Sequence, residues 1–248
     1  MKKVWILSLS ILAMISMACT VSGVSVDFGR VEGSGNVVTE TRDVGDFNEV
    51  SLDGIGNLFI EQGSENTIVI EAEDNILPKI VTIVRGDKLY IDLEHGFNVD
   101  PAREMNYYVT VKNLEEVQVS GAGSVYLQDE IQIDKLDIIL SGFGSVDIDE
   151  IIGDEVNIKL SGAGDIEIAG EVDRQTIKIS GAGNYRADDL HSQEADVIVS
   201  GVGDATLWVD DALSVIISGG GNIDYYGNPH TSRTISGLGN LRSLGERD

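Results

Sequence analysis

The stretch Val156-Asn157-Ile158-Lys159-Leu160-Ser161-Gly162-Ala163-Gly164-Asp165-Ile166-Glu167-Ile168 alternates apolar and polar residues on both sides of a Ser-Gly-x-Gly core. A period of two is the pattern of a strand with one buried face. The core recurs, beginning at Ser120, Ser141, Ser161, Ser180, Ser200, Ser218 and Ser236, at spacings of 21, 20, 19, 20, 18 and 18 residues. A relative, Asp53-Gly54-Ile55-Gly56, lies upstream. The flanks repeat as well, for example Leu136, Ile138 and Leu140 before one core and Val146 and Ile148 after it. β-Branched residues dominate these positions, as strands favour.

Each unit therefore holds two short strands joined by a Gly-rich bend, followed by a turn. One such unit cannot bury its apolar edge, but a stack of units can. A period of 18–21 residues suits one coil of a β-solenoid. It is too short for a propeller blade of about 40–45 residues or a helical repeat of about 34. The expected fold is all-β, a right-handed parallel β-helix, with the handedness taken from the rule for parallel crossovers. At about 4.8 Å per stacked strand, seven coils make a rod of roughly 30–35 Å.

Stacking turns the repeat into columns. The residue after each core reads Ser124, Ser145, Asp165, Asn184, Asp204, Asn222 and Asn240, so no two like charges adjoin. The middle residue reads Ala122, Phe143, Ala163, Ala182, Val202, Gly220 and Leu238; strict alternation from Val119 would put it outside, and the kink at the corner decides whether it points in or out. The outward column before the core reads Gln118, Ile139, Lys159, Lys178, Ile198, Ile216 and Thr234. Ile198 and Ile216 are adjacent there, and Ile139 and Phe143 form a second outward apolar pair. An apolar stripe on an exterior marks a covered or partner-binding surface, so these four residues are the candidate contact surface. Glu167 and Arg186 are expected to stack as a surface ion pair.

The part from 36 to 116 is less regular. Strand patterns fall at Val50–Leu52, Leu58–Glu61, Thr67–Glu71, Ile80–Val84, Leu89–Leu93 and Tyr107–Val111, with Gly86-Asp87 as a hairpin turn. The 67 residues from Asp53 to Ser120 equal about three coils in length. Divergent coils with one or two hairpins are expected, closing one end of the stack. The repeats then occupy 117–243, with a short tail at 244–248.

The first 18 residues read as an export signal: Lys2 and Lys3, an apolar run from Val4 to Met17, then Ser16 and Ala18 before Cys19. The run is short for a membrane span of about 20 residues. Cys19, the single cysteine, stands where a bacterial lipoprotein carries its acylated residue, although Ser16 and Met17 depart from the usual lipobox. The expected state is a lipid anchor on Cys19, a tether over 19–35, and a location in the cell envelope outside the cytoplasm. Secretion after ordinary cleavage is the alternative.

Composition narrows the partners. With 42 acidic against 17 basic side chains and a formal charge of −25, the chain as a whole repels a phosphate backbone and nucleic acid is not an expected partner. One cysteine permits neither an internal disulfide nor a Cys-rich zinc site. The excess of 29 Gly over 3 Pro is neither collagen nor a linker, and the repeated corner accounts for much of it.

Gly33-Ser34-Gly35-Asn36, Thr41-Arg42-Asp43-Val44 with Phe47, Gln62-Gly63, Leu89-Tyr90-Ile91, Tyr108-Val109-Thr110-Val111, Asn113-Leu114 and the Ser-Gly-x-Gly series together resemble the head GIN domain family. The resemblance spans roughly Val31 to Ser243. It implies a β-helical exported protein with an adhesin-like role, often lipid-anchored, and supplies no catalytic residue.

Sites for chemistry are sparse. His95, His191 and His230 lack metal-ligand spacing and read as exposed loop residues. A serine present in every coil fills a geometric role and is not a unique nucleophile. A carbohydrate-active enzyme, a polysaccharide lyase or hydrolase, is the alternative function; it would use Asp147, Asp149 and Glu150, or Asp188 and Asp189, in a cleft. Gly-x-Gly-Asp at Asp165 and Asp204 departs from calcium-binding rolls in period and in Asp position. No metal or cofactor is assigned, and calcium at acidic turns such as Asp210-Asp211 stays open. Arg85-Gly86-Asp87 is read as turn chemistry. The leading expectation is a non-enzymatic binding module for a surface glycan or protein ligand, with end-to-end self-association as a further option.

Overall fold

The computed structural model describes residues 30–247. Ten strands precede the repeats: β1 (Arg30–Glu32), β2 (Val37–Arg42), β3 (Glu49–Leu52), β4 (Ile55–Gln62), β5 (Thr67–Glu73), β6 (Ile80–Arg85), β7 (Lys88–Leu93), β8 (Asn98–Asp100), β9 (Asn106–Val111) and β10 (Glu116–Val119). Eight follow: β11 (Ala122–Leu140), β12 (Phe143–Leu160), β13 (Ala163–Ile179), β14 (Tyr185–Val199), β15 (Ala205–Ile217), β16 (Gly220–Tyr226), β17 (His230–Ile235) and β18 (Leu238–Gly245). From β10 onward every neighbour pairs in parallel, coil upon coil. The molecule is a β-solenoid.

The coil differs from the expected pair of short strands. β11 to β13 each run for 17–19 residues, interrupted only at Ser-Gly. The expected turn is itself laddered, since Glu130–Ile133 pairs with Glu150–Gly153. The second bend is a register shift that recurs in successive coils, between Leu127 and Glu130 and between Ile148 and Ile151. A bulge bends a strand without giving up the ladder, and stacked identical coils let each bend bond to the next. Inside β11, Val125, Leu127, Ile131, Leu136, Ile138 and Leu140 are fully buried. Their partners one coil on are Val146, Ile148, Ile151, Val156, Ile158 and Leu160, so the core is continuous along the stack. A buried polar chain runs through it: Tyr185 donates to Gln175 (3.1 Å), Gln175 to Ser192 (2.8 Å), and Ser192 to the carbonyl of Trp208 (3.0 Å).

At the Ser-Gly corner, two successive N–H groups share one carbonyl of the coil before. Ser141 and Gly142 both donate to Val119, at 2.9 and 3.0 Å. A Cβ on Gly142 would sit 1.9 Å from the carbonyl oxygen of Gly121, and on Gly162 2.0 Å from that of Gly142. Close backbone approach, repeated in each coil, is the reason for the first glycine of the motif.

The N-terminal part also departs from the expected length of three coils. Asp53-Gly54-Ile55-Gly56 forms a corner of the same kind, and a Cβ on Gly121 would meet the Gly54 oxygen at 1.8 Å. The layer of β3 and β4 lies between the first repeat coil and one further layer, β7 stacked on β3 and β9 on β4. The remaining residues go into antiparallel edges: β6 on β7, β5 on β9 and β2 on β5. Gly86-Asp87 is the two-residue turn between β6 and β7, with Gly86 at φ +63°. Antiparallel pairing ends the parallel stack and covers its core, which is why 67 residues of sequence yield a single added layer. Arg30–Gly35, at the end of the stretch read as a tether, is held against this part through β1 on β8 and through Glu73.

At the other end, among the described residues, no strand pairs with the far edges of β17 and β18. There Arg233 occupies an inward register position, opposite Val215. A charge at an inward position of an edge strand disfavours further strand addition. Arg233→Ile is expected to raise the concentration-dependent mass seen by light scattering. An unchanged mass would count against Arg233 as a barrier to end-to-end association.

A carboxylate-free strip as candidate functional site

Three columns meet at the Ser-Gly-x-Gly corner. The middle residues form one ridge, since Ala122, Phe143, Ala163, Ala182, Val202, Gly220 and Leu238 are register partners in turn. The ridge faces outward as strict alternation requires, with Phe143 71% and Leu238 90% exposed. Beside it run the seven motif serines, all exposed. Beyond them lies the column Gln118, Ile139, Lys159, Lys178, Ile198, Ile216 and Thr234, again register partners in turn. All four predicted contact residues fall on this strip. Ile139, Ile198 and Ile216 share the outer column, and Phe143 stands on the ridge. Ile198 and Ile216 are directly opposite each other and exposed.

None of the seven positions in any of these columns is Asp or Glu, in a chain that carries 42 acidic residues. The acids lie in the other columns. The next column beyond the strip, on the same face of the sheet, holds Glu116, Asp137 and Asp196, and all three are engaged, Glu116 with Lys88. Asp137 lies 3.5 Å from Lys135 and Asp196 3.1 Å from Arg174. Lys159 and Lys178 are direct cross-strand partners, both exposed. Neither forms an ion pair among the described residues. Like charges placed opposite each other repel, so this pair costs the unliganded protein energy. A shallow groove of about 350 Å³ runs over them, lined by Ile139, Lys159, Lys178, Asp137, Asn157 and Thr176. The two lysines look unremarkable in the linear sequence. Sorting acids by column is the signal that would have picked them out.

The other side of the corner is a polar ladder and needs no ligand. Ser145 bonds Ser124 at 3.0 Å, Asn184 donates to Asp165 at 2.9 Å, and Asn222 donates to Asp204 at 3.2 Å. Burial raises the pKa of Asp165, but the backbone and side-chain N–H groups of Asn184 and the Arg186 guanidinium outweigh it. The carboxyl is held below the usual carboxylate range. Arg186 is opposite Glu167, as expected, yet its guanidinium turns to Asp165 at 3.3 Å. Asp165 is the better partner because Asn184 already fixes its orientation.

The remaining candidates are located as follows. His191 is a half-buried strand residue, not an exposed loop residue. It contacts Asp210 at 2.8 Å and lies against Trp208. His230 also lies in a strand, whereas His95 is in a loop. Asp188 and Asp189 both bind Arg247, whose guanidinium sits over Trp208 and Tyr226. Asp147, Asp149 and Glu150 are exposed along β12, Asp147 and Glu150 in its ladder and Asp149 at the register shift. Among the described residues no group of three or more His, Cys, Asp or Glu is placed to hold a metal ion. Cys19 and the export signal lie outside the described residues.

The fold has close counterparts. A structure from Bacteroides fragilis described as a "putative adhesin" superposes with a TM-score of 0.83 at 25% identity, covering 86% of this chain and 100% of that one. A "putative lipid binding protein" from Parabacteroides distasonis gives 0.74 at 23% identity, covering 87% and 100%. A "putative adhesin" from Parabacteroides merdae gives 0.72 at 24% identity, covering 87% and 99%. No curated protein matches the chain significantly. The family model described as "Putative auto-transporter adhesin, head GIN domain" matches residues 46–229, from the segment leading into β3 to the turn after β16, and the chain belongs to that family.

Proposed function

We propose that this protein is an exported, non-enzymatic, adhesin-like binding module, anchored in the cell envelope by a lipid on Cys19, with the carboxylate-free strip as its ligand face. The observation that carries the reading is the segregation of charge. An acidic exterior keeps most of the solenoid solvated, and one strip is left apolar, hydroxylated and weakly cationic. The adhesin description of the family and of the Bacteroides fragilis relative supports an outward-facing binding role. The order Lys2-Lys3, apolar run, Ala18, Cys19 supports export and acylation. A rigid stack suits presentation of a flat surface, because its strands are fixed by ladders on both sides.

One experiment in two steps tests this. Cys19→Ser is expected to move the protein from the membrane fraction to the soluble fraction; retention in the membrane would overturn the anchor. Beads coated with the soluble variant are expected to adhere to cell surfaces, and the added change Ile198→Asp is expected to abolish adherence. Equal adherence with and without that change would remove the strip from the function.

A further inference from the structure

We infer that the ligand of the strip is a carboxylated glycan, an extended chain of uronic acid residues lying along the solenoid axis, with its protein-facing carboxylates on Lys159 and Lys178. The inference rests on the strip being the ligand face and adds the chemistry it selects. Four features of the surface converge on it.

The first is charge. Lys159 and Lys178 are opposed across one ladder step, with no carboxylate paired to either. The two nearest acids of the next column already hold Lys135 and Arg174. A ligand anion therefore relieves the repulsion of the lysine pair without competing against an internal partner.

The second is spacing. Adjacent coils are separated by roughly 4.8 Å, which is close to the advance of one pyranose along an extended polysaccharide. A polyuronate carries one carboxylate per sugar, and the two long, exposed lysine side chains can reach carboxylates on the protein-facing side of one short stretch of chain.

The third is the serine column. Exposed hydroxyls at Ser141, Ser161, Ser180 and Ser200 repeat at the same step beside the lysines, offering donors and acceptors to ring hydroxyls. Their register with the coils is fixed, because each serine N–H bonds the coil before.

The fourth is discrimination. The chain carries a formal charge of −25, so a polyanion laid on any other face is repelled. On the strip it meets Gln118, Ile139, Ile198 and Ile216 beyond the lysines, and no acid. The acidic exterior thus acts against polyanions that do not align with the strip. The shallow groove over the lysines has Asp137 at its margin, and that carboxylate is already held by Lys135 and Asn157.

The test is calorimetric titration of the purified full chain with hexagalacturonate, with the neutral galactose hexamer and hexaglutamate as comparators. Hexagalacturonate is expected to bind at least about tenfold more tightly than either comparator. The double variant Lys159→Gln/Lys178→Gln is expected to lose about tenfold or more of that affinity. Its fold is expected to survive, because both side chains are exposed and the change removes a repulsion; a thermal midpoint at or above that of the native protein checks this. Equal binding by the double variant overturns the inference, as does equal affinity for the neutral hexamer. Hexaglutamate binding as tightly would replace the glycan by an acidic peptide and also overturn it. If beads adhere through the strip but hexagalacturonate does not bind, the ligand class falls and the proposed function stands. If hexagalacturonate binds through the lysines and the beads do not adhere, the reverse holds.

Discussion

Gly201→Ala is expected to destabilise the protein by about 4 kcal/mol, far more than a change of one methyl group on a surface corner would ordinarily cost. A Cβ at Gly201 would lie 2.1 Å from the Gly181 oxygen and 2.5 Å from the Ser180 carbonyl carbon. Both are backbone atoms of the coil below, so no side-chain rotation relieves the clash. The coils would have to part at the corner. Doing so strains the bonds from Ser200 to Ile179 (2.8 Å) and from Val202 to Gly181 (2.9 Å). Overpacking a site that can relax costs roughly 1–3 kcal/mol, and a site held by ladders on both sides lies above that range. The matched control is Val202→Ala, one residue along and 67% exposed, expected to change stability by less than about 0.5 kcal/mol. Urea denaturation followed by circular dichroism measures both. Equal effects at the two positions would show that the corner glycines are not required by close approach.

Glu73→Ala is expected to release the N-terminal segment and to cost roughly 3 kcal/mol. The Glu73 side chain is fully buried. One carboxylate oxygen accepts from the Gly35 N–H, and the other from Ala102 at 2.9 Å and Arg103 at 3.4 Å. Glycine at residue 33 leaves it room, since a Cβ there would lie 2.1 Å from the carboxylate and displace its end. Neighbouring bonds complete the clasp: Ser34 to Asp74 at 2.6 Å, Asn36 to Asp74 at 2.9 Å, and Asn75 to the Glu32 carbonyl at 2.7 Å. Removing the carboxylate deletes the charged acceptor that the Gly35, Ala102 and Arg103 N–H groups share, and hydrogen bonds to charged groups are worth about 1.5–3 kcal/mol each. Limited proteolysis is expected to cut between 30 and 42 in the variant and not in the native protein. An unchanged cleavage pattern, with a lowered midpoint, would mean that Glu73 supports the body rather than the clasp.

The clasp also explains Gly33-Ser34-Gly35-Asn36. From sequence that string served as a family marker with no stated mechanism. Its partners Glu73, Asp74 and Asn75 are 38 to 41 residues away, and nothing local announces them. The same limit applies to Arg186. Column arithmetic placed it opposite Glu167 correctly, but the choice between Glu167 and Asp165 depends on which carboxylate is already oriented. The region between Asp53 and Ser120 forms one added layer where its length suggests three coils, for a related reason. Its strands were located well, since the alternation around Leu58, Ile70, Leu89 and Val109 is local. Their pairing was not, because a strand of given pattern can join a ladder in parallel or antiparallel.

What the sequence by itself determined is the repeat, the inward and outward columns, and the position of each corner. These follow from a period of two within each strand and a period of 18–21 residues between coils, which hold wherever identical units stack. It also placed Ile139, Phe143, Ile198 and Ile216 on the exterior. What only the tertiary structure decided is that all four share one strip with two lysines and no carboxylate. Charge segregation is a property of columns formed across coils some 20 residues apart, and the columns become neighbours only when the register shifts and the capping layer are set. Those depend on backbone contacts distant in sequence, which no single stretch of the chain encodes.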